Sequence, residues 1–482
     1  MNHRQNAVAG RAPLASLQPV QDPPTGGARL PAAFDPATSQ VFRYVGFDFD
    51  VDSGVLSCRY ALDDLEFEER IGFHTPVPAE RRELATRAFR LIHLLAGISY
   101  YKAGCPPRID LGGDALTDAE RQLLHAFYVH GLGEFSYRNR LDLGGVQIDA
   151  PAADSDARRA PVASAAGEIG RARRPLVPFG GGIDSIVSVE AVRPTHPDAR
   201  LFVLNEFEAI EASIATTRLD VVRATRRIDP TLLDLNERGA RNGHVPITGI
   251  LSAIAVAAAV LHDADEVVMS NEWSASSGNL VWAGREINHQ WSKSAAFETL
   301  FRTVVHESLG GAVDYFSLLR PLSGLRIAEL FAQHPAYLPT FRSCNRAFHI
   351  DENARRAEWC GECDKCCFVD LILAPFVPAD TLAAVFGGRE PLRRADLRPQ
   401  FDLLVALSGR KPFECVGDER ECRAAAVLAA DRDDRRDDAL LQALARDVCA
   451  AQPDVRDDIP KLFRPMGPHH IPPHHAAAIG LG

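Results

Sequence analysis

The amino-acid sequence predicts an α/β protein, a parallel-sheet domain preceded by a smaller α+β domain. Three observations carry the expectation. Short apolar runs alternate with helical stretches between residues 176 and 269. A glycine run, Gly180-Gly181-Gly182, stands between the first apolar run and the first helical stretch. Upstream, apolar and polar residues alternate in two adjacent segments, which signals a hairpin rather than a crossover unit.

Residues 1–40 are rich in Pro, Ala, Gly and Gln, lack periodicity, and are expected to be disordered. From residue 41 the pattern changes. Val45, Phe47, Phe49 and Val51 alternate with smaller or polar residues, Asp52-Ser53-Gly54 reads as a turn, and Leu56, Cys58, Tyr60 and Leu62 alternate again. Helical stretches follow over residues 80–95 and 118–130. The second opens on Thr117 with Glu120 at capping-box spacing and stops at Gly131. Residues 41–150 therefore form the smaller domain, and residues 151–174, rich in Ala, Arg, Asp and Pro, a linker.

The larger domain spans residues 175–422. Its expected elements are strands at 176–179, 201–204, 232–235 and 266–269, with helices at 186–192, 214–224 and 247–261. In a parallel sheet with right-handed crossovers the strand carboxyl ends share one edge, and ligands bind there. Residues 423–482 are charged, then rich in Pro and His, and read as a helical or low-complexity tail whose pairs His469-His470 and His474-His475 are solvated.

A length of 482 residues suggests about two or three domains, and 46% hydrophobic residues supply at least one large core. The net charge of −11 and the absence of a dense Lys/Arg block argue against a large nucleic-acid footprint. The longest apolar run, residues 250–261, is too short to span a bilayer, and no apolar signal core opens the chain. The expected location is the cytoplasm. In that reducing compartment clustered cysteines point to metal or catalysis before disulfides.

The string Gly180-Gly181-Gly182-Ile183-Asp184-Ser185 follows a strand and opens a helix. Glycines let the backbone approach phosphates closely, and a helix N-terminus offers unpaired N–H groups to an anion. Ser185 adds a hydroxyl, while Asp184 holds Mg²⁺ or fixes the loop. Residues 269–298 follow the strand at 266–269 and are dense in polar and aromatic side chains. Asn271, Glu272 and Ser274 are candidates for the nucleotide or its metal. Arg285 suits a carboxylate or phosphate, with Asn288 and Lys293 as further substrate-binding candidates. His289 exchanges protons near neutral pH, and Lys293 lies four residues on, which a helix would place on the same face.

Cys344, Cys360, Cys363 and Cys366 have the spacing C-x15-C-x2-C-x2-C. Four thiolates so spaced suit a tetrahedral structural zinc, and an iron–sulfur cluster uses the same ligand type. Cys367, or Cys415 in Lys411-Pro-Phe-Glu-Cys-Val-Gly417, is a candidate acid or base.

The glycine loop resembles the pyrophosphate loop of the PP-loop ATPases, adenine nucleotide α-hydrolase-like proteins whose usual loop reads Ser-Gly-Gly-x-Asp-Ser. Gly180 stands where that serine is expected. The resemblance implies cleavage of ATP to AMP and pyrophosphate, with Asn205 or Glu206 near adenosine. The loop lacks the Lys-Ser/Thr ending of a Walker A motif. The cysteine cluster is similar to that of the PP-loop enzymes that make the 7-deazaguanine precursor of queuosine. More narrowly, residues 180–185, 270–298, 343–348, 359–366 and 411–417, with Tyr100-Tyr101-Lys102, resemble the UDP-N-acetyl-α-D-muramoyl-L-alanyl-L-glutamate epimerases of peptidoglycan precursor synthesis.

That resemblance implies an ATP- and Mg²⁺-dependent inversion of the terminal L-Glu of a UDP-muramoyl dipeptide through an acyl-adenylate. Asp184, His289 and Lys293 would then be catalytic, the last two as the acid/base pair. Neither nucleic acid nor membrane is an expected partner, and the sequence leaves the oligomeric state open. Two other classes stay open on the sequence: a PP-loop ligase modifying a nucleobase or tRNA, and a non-catalytic nucleotide-binding protein.

Overall fold

The computed structural model describes residues 33–154, 173–348, 355–356, 358–409 and 411–481. Disorder over residues 1–32 and the central part of the expected linker lie outside these.

The expected hairpin grows into a meander. β1 (Val41–Asp50), β2 (Val55–Leu62) and β3 (Leu65–Gly72) pair antiparallel in succession. The turn after β1 follows from its residues. Asp50 accepts from Asp52 N at 3.0 Å through its carboxylate, and Gly54 takes φ +67°. β4 (Arg108–Asp110) runs parallel to β1, and β5 (Gln147–Asp149) parallel to β4. Downstream come β6 (Pro175–Pro178), β7 (Arg200–Leu204), β8 (Val221–Arg227) and β9 (Glu266–Met269). A separate hairpin, β10 (Leu280–Trp282) with β11 (Arg285–Ile287), precedes β12 (Asp314–Ser317). The strands β12-β9-β6-β7-β8 are mutually parallel, and their carboxyl ends share one edge.

Among the described residues the meander and the parallel strands form one ten-stranded sheet, because β3 pairs antiparallel with β8. The separate smaller domain expected from the sequence is thus part of a common sheet and a common core. Phe42 and Tyr60 belong to the same buried cluster as Leu176, Val256 and Val267. The helix Ile247–Leu261, apolar on all sides, packs against the sheet and against the helix Arg82–Ala96.

At the junction, Arg226 donates to both carboxylate oxygens of the fully buried Glu69, at 2.7 and 2.9 Å. Removing one partner of a buried, bidentate pair strands the other charge. Glu69→Ala is expected to destabilise the fold by about 3–5 kcal/mol, read from denaturant unfolding.

Two expectations are corrected. Residues 208–217 form a helix that stops at Arg218 (φ +58°), and the β-branched Val221-Val222 then opens β8, where a helix to residue 224 was expected. The expected strand at 232–235 lies inside the helix Pro230–Glu237. Asp229 caps that helix by accepting from Thr231 N at 2.8 Å, and Pro230 takes its first position. A four-residue apolar run does not distinguish helix from strand, and the Asp-Pro signal decides it.

The charged C-terminal stretch is also folded onto the body. The helices Glu419–Ala430 and Ala439–Ala451 bury Ala424, Ala425 and Ala426 with Leu441, Leu444 and Val448. His475, read from the sequence as solvated, is fully buried.

Candidate active site

The glycine loop leaves the carboxyl end of β6. Gly181 has φ +69°, and a Cβ there would stand 2.7 Å from Ile210 Cγ2, so a side chain is excluded both by conformation and by space. A Cβ at Gly182 would stand 2.7 Å from Ser343 Oγ, so the loop also packs under the segment that carries Cys344. At Gly180, in contrast, a Cβ would meet nothing within 4 Å. The missing serine therefore leaves open space rather than a packed alternative. Among the described residues no side chain caps the helix Ile183–Val192, so its first N–H groups face the strand-end edge without a protein acceptor. Ser185 Oγ donates back to Gly182 O at 3.1 Å.

Beside the loop, Asp184, Glu272, Lys293, Lys365 and Cys415 line one cavity. Each arrives on a different element. Asp184 lies in the first turn of its helix, and Glu272 just after β9. Lys293 ends the 3₁₀ turn Trp291–Lys293, where its N–H donates to Gln290 O at 2.7 Å. Lys365 lies in the first turn of the helix Asp364–Leu373, directly after the cysteine knuckle. The buried Arg320 joins two of these segments. Its guanidinium donates to Glu272 O at 2.8 Å, to Lys293 O at 2.6 Å and to Glu298 Oε2 at 2.7 Å.

Cys415 lies in a loop pinned on three sides. Gln290 Nε2 donates to Val416 O at 3.2 Å, Asn279 Nδ2 to Pro412 O at 2.9 Å, and Lys365 Nζ to the Cys415 carbonyl. Its thiol faces Lys293 Nζ at 3.4 Å and hydrogen-bonds with the His289 ring. His289 Nδ1 is held in turn by Glu134, whose other oxygen accepts from Arg138 Nε at 2.5 Å.

The charges follow from this packing. Burial alone would raise the Cys415 thiol, but the Lys293 ammonium, the His289 hydrogen bond and Lys365 outweigh it and pull it down to about 6. Burial would likewise lower His289, yet its bonds to Cys415 and Glu134 lift it to about 9. Near neutral pH the two therefore form a thiolate–imidazolium pair. His244 lies beside His289, tilted by 45° with ring centroids 4.3 Å apart, and burial followed by the neighbouring His289 charge lowers it to about 4. The positive charge thus sits on His289. Lys293 is raised above the ordinary lysine value because Cys415, Glu272 and Asp184 outweigh its burial, which favours its charged form. Asp184 is raised to about 7 by burial and by Glu272, against Lys365 and Lys293.

Asp184, His289 and Lys293 thus converge, though His289 and Lys293 do so through a 3₁₀ turn and not on the face of an α-helix. Other candidates lie elsewhere. Arg285 sits in the β10–β11 hairpin and is paired with Asp142. Asn288 holds the framework, donating to Ala275 O at 2.9 Å and accepting from Gln290 N at 2.7 Å. Asn205, at φ +62°, accepts from Arg226 N at 2.8 Å through its side chain, and the adjacent Glu206 is exposed. Asn271 is buried, its backbone tied in both directions to Ser317 Oγ. None of these five lines the cavity. Cys367 is buried in its helix and its thiol is pushed up, chiefly by burial, so of the two cysteines offered as acid or base only Cys415 lines the cavity. Glu134, His244 and Lys365 carry no motif that marks them in the sequence.

Cys344, Cys360, Cys363 and Cys366 bring their sulfurs within 4.8 Å of one another, with Cys360 and Cys363 each 3.5 Å from Cys366. Gly361 turns the knuckle at φ +67°, and a Cβ there would meet Arg389 O at 2.7 Å. Four convergent sulfurs are a donor set for one metal ion. The knuckle sets Ser343 against the glycine loop and Lys365 into the cavity, so a metal bound there would order both walls.

Two family models match the chain, the MurL N-terminal domain over residues 33–318 and the MurL C-terminal domain over residues 340–458. Three relatives are each named UDP-N-acetyl-alpha-D-muramoyl-L-alanyl-L-glutamate epimerase. The relative from Xanthomonas oryzae pv. oryzae is 40% identical over 447 residues, which is 92% of this chain and 97% of the relative. That from Micromonospora sp. is 42% identical over 459 residues, covering 91% and 97%. That from Salinispora tropica is 40% identical over 447 residues, covering 91% and 95%. With both domain models matched in order and identity at this level along nearly the whole chain, the protein belongs to the MurL family.

Proposed function

We propose that this chain is an ATP-dependent epimerase of peptidoglycan precursor synthesis, acting in the cytoplasm. It would invert the terminal L-Glu of UDP-N-acetylmuramoyl-L-Ala-L-Glu to D-Glu through an acyl-adenylate, releasing AMP and pyrophosphate. The relatives' names support the substrate and the reaction class. One observation carries the chemistry, the Cys415 thiolate held by Lys293 and His289 in the cavity that Asp184 of the glycine loop also lines.

The donor sets fit the groups this reading needs. An uncapped helix start beside glycines fits a pyrophosphate, which is the PP-loop role. Asp184 and Glu272, two carboxylates in one cavity, fit the Mg²⁺ that accompanies ATP. ATP supplies an adenylyl group that neutralises the glutamate carboxylate, so that loss of the α-proton no longer concentrates charge. The remaining work belongs to the protein. Cys415 takes the α-proton, Lys293 and Lys365 offset the negative charge that develops, and Glu134 fixes the His289 ring that keeps Cys415 ionised. A solvent proton delivered to the opposite face gives the D centre, and attack by water on the acyl-adenylate then frees the D-Glu carboxylate and AMP.

Incubation of the pure protein with ATP, Mg²⁺ and the L-Glu dipeptide nucleotide, followed by chiral analysis of the glutamate, tests the proposal. D-Glu with substrate-dependent AMP is expected. Absence of both would overturn it, and AMP without D-Glu would point to a ligase.

We assign zinc to the four-cysteine set. Cys360→Ser is expected to carry one equivalent of zinc fewer than the native chain by metal analysis. Equal content in the two proteins would refute the assignment.

A further inference from the structure

We infer a second metal site, formed by His196, His474 and His475 at the end of the sheet opposite the active-site cavity. It would take a divalent transition metal of zinc type and staple the C-terminal segment to the parallel strands.

The three rings cluster closely. One nitrogen from each lies within 4.8 Å of the others, and the ring centroids of His475 are 4.8 Å from His196 and 4.4 Å from His474. A carboxylate fixes which nitrogens are free. Glu266, 1% exposed, faces His474 Nε2 at 2.8 Å through one oxygen and His475 Nε2 at 2.9 Å through the other. A carboxylate only accepts, so each Nε2 carries a proton and Nδ1 is the nitrogen left on each ring to offer a lone pair to a metal. The His475 ring is fully buried, and its Nδ1 has no hydrogen-bond partner. A buried acceptor without a donor is a defect in a protein that lacks a ligand, and a bound cation removes it. On His196, Nδ1 is engaged by Thr195 Oγ1 at 2.9 Å, which leaves Nε2 as its ligand atom.

Two of the three histidines thus already carry the outer carboxylate typical of metal-bound imidazole. Three imidazole nitrogens select zinc-type ions over Mg²⁺ or Ca²⁺, with water at the fourth position on the side of the exposed His474. The chain path gives the site a purpose. Glu266 opens β9, whereas Glu272, just past its other end, lines the cavity. His196 follows the helix whose first turn carries Asp184. His474 and His475 sit between the buried anchors Ile471 and Ile479. A metal here would tie the last part of the chain to the far end of both active-site elements.

The test uses the full chain, stripped of metal and titrated with Co²⁺. Thiolate-to-cobalt charge transfer reports the cysteine set, and d–d bands without charge transfer report an all-histidine site. Wild type is expected to bind one Co²⁺ of the second kind. His196→Ala at a half-buried position and His474→Ala at an exposed one should lose it while keeping the charge-transfer band. Glu266→Gln should weaken it by about 10–100-fold. The variant His469→Ala/His470→Ala should bind as wild type does. Equal binding in wild type and His196→Ala would overturn the site, and so would loss in the His469/His470 variant, which would mark adventitious binding by the tail.

Discussion

Cys415→Ser is expected to lower epimerisation by about 10²–10⁴-fold while substrate-dependent AMP formation persists. The serine keeps the shape of the side chain, so the loop pinned by Gln290, Asn279 and Lys365 stays in place. What disappears is a group ionised near pH 6, because a serine hydroxyl does not become a base beside Lys293. Run in D₂O, the wild-type reaction should place deuterium at the α-carbon of glutamate, and the variant should not. Wild-type incorporation by the variant would remove Cys415 from the proton transfer. Acidity gives a second reading of the same pair. Activity should rise with pH through about 6 as Cys415 ionises and fall through about 9 as His289 loses its proton, a bell whose limbs belong to the pair. Glu134→Gln removes a partner that raises His289, so it should move the upper limb to lower pH. A purely structural role for Glu134 would leave the limbs in place.

What the sequence reveals of this site depends on how far apart the partners are. The glycine loop is legible because strand, glycines and helix follow one another directly, and the knuckle because three of its cysteines fall within seven residues. Cys415 has no such signal. Its partner Lys293 is 122 residues away, and Glu134 is 155 residues from His289. Those meetings are set by how the loops at the sheet edge converge, which no local period records. The same limit hid the union of the two halves. The β3–β8 pairing joins residues as far apart as Arg70 and Arg227, and Glu69 and Arg226 are ordinary surface types until that pairing buries them. The tail misled for another reason. Its buried face is built from alanines and spaced leucines, which charged neighbours dilute in a composition reading. Asn288, Arg285 and Asn271 show the converse. Polar density marked the right segment, but Asn288 bonds the segment's own backbone, Arg285 pairs with Asp142, and Asn271 is tied through its backbone to Ser317, so these residues frame the site and do not line it.

Asp184→Ala is expected to abolish both partial reactions, with AMP formation and α-deuterium incorporation each falling by about 10²–10³-fold or more. This separates it from Cys415→Ser, because in the proposed mechanism activation of the carboxylate precedes proton loss. The variant is a cleaner probe of the loop than Gly181→Val, whose branched side chain would meet Ile210 in a left-handed backbone. It should also fold well. In the native chain Asp184 sits at about 7 through burial and the facing Glu272, above its unfolded value of 3.8. Between those two values the unfolded chain releases a proton that the native chain keeps, so native stability declines as pH rises from about 4 to 7, and the penalty is complete above 7. Alanine carries no such penalty. Without Mg²⁺ at pH 8, Asp184→Ala should therefore melt no lower than wild type, and its advantage should shrink as pH falls toward 4. Added Mg²⁺ and ATP should raise the melting temperature of wild type and leave that of the variant nearly unmoved, because the proposed cation site needs both carboxylates. A variant that melts well below wild type at pH 8 would mean that Asp184 holds the loop together, and equal stabilisation of both proteins by Mg²⁺ and ATP would place the cation elsewhere.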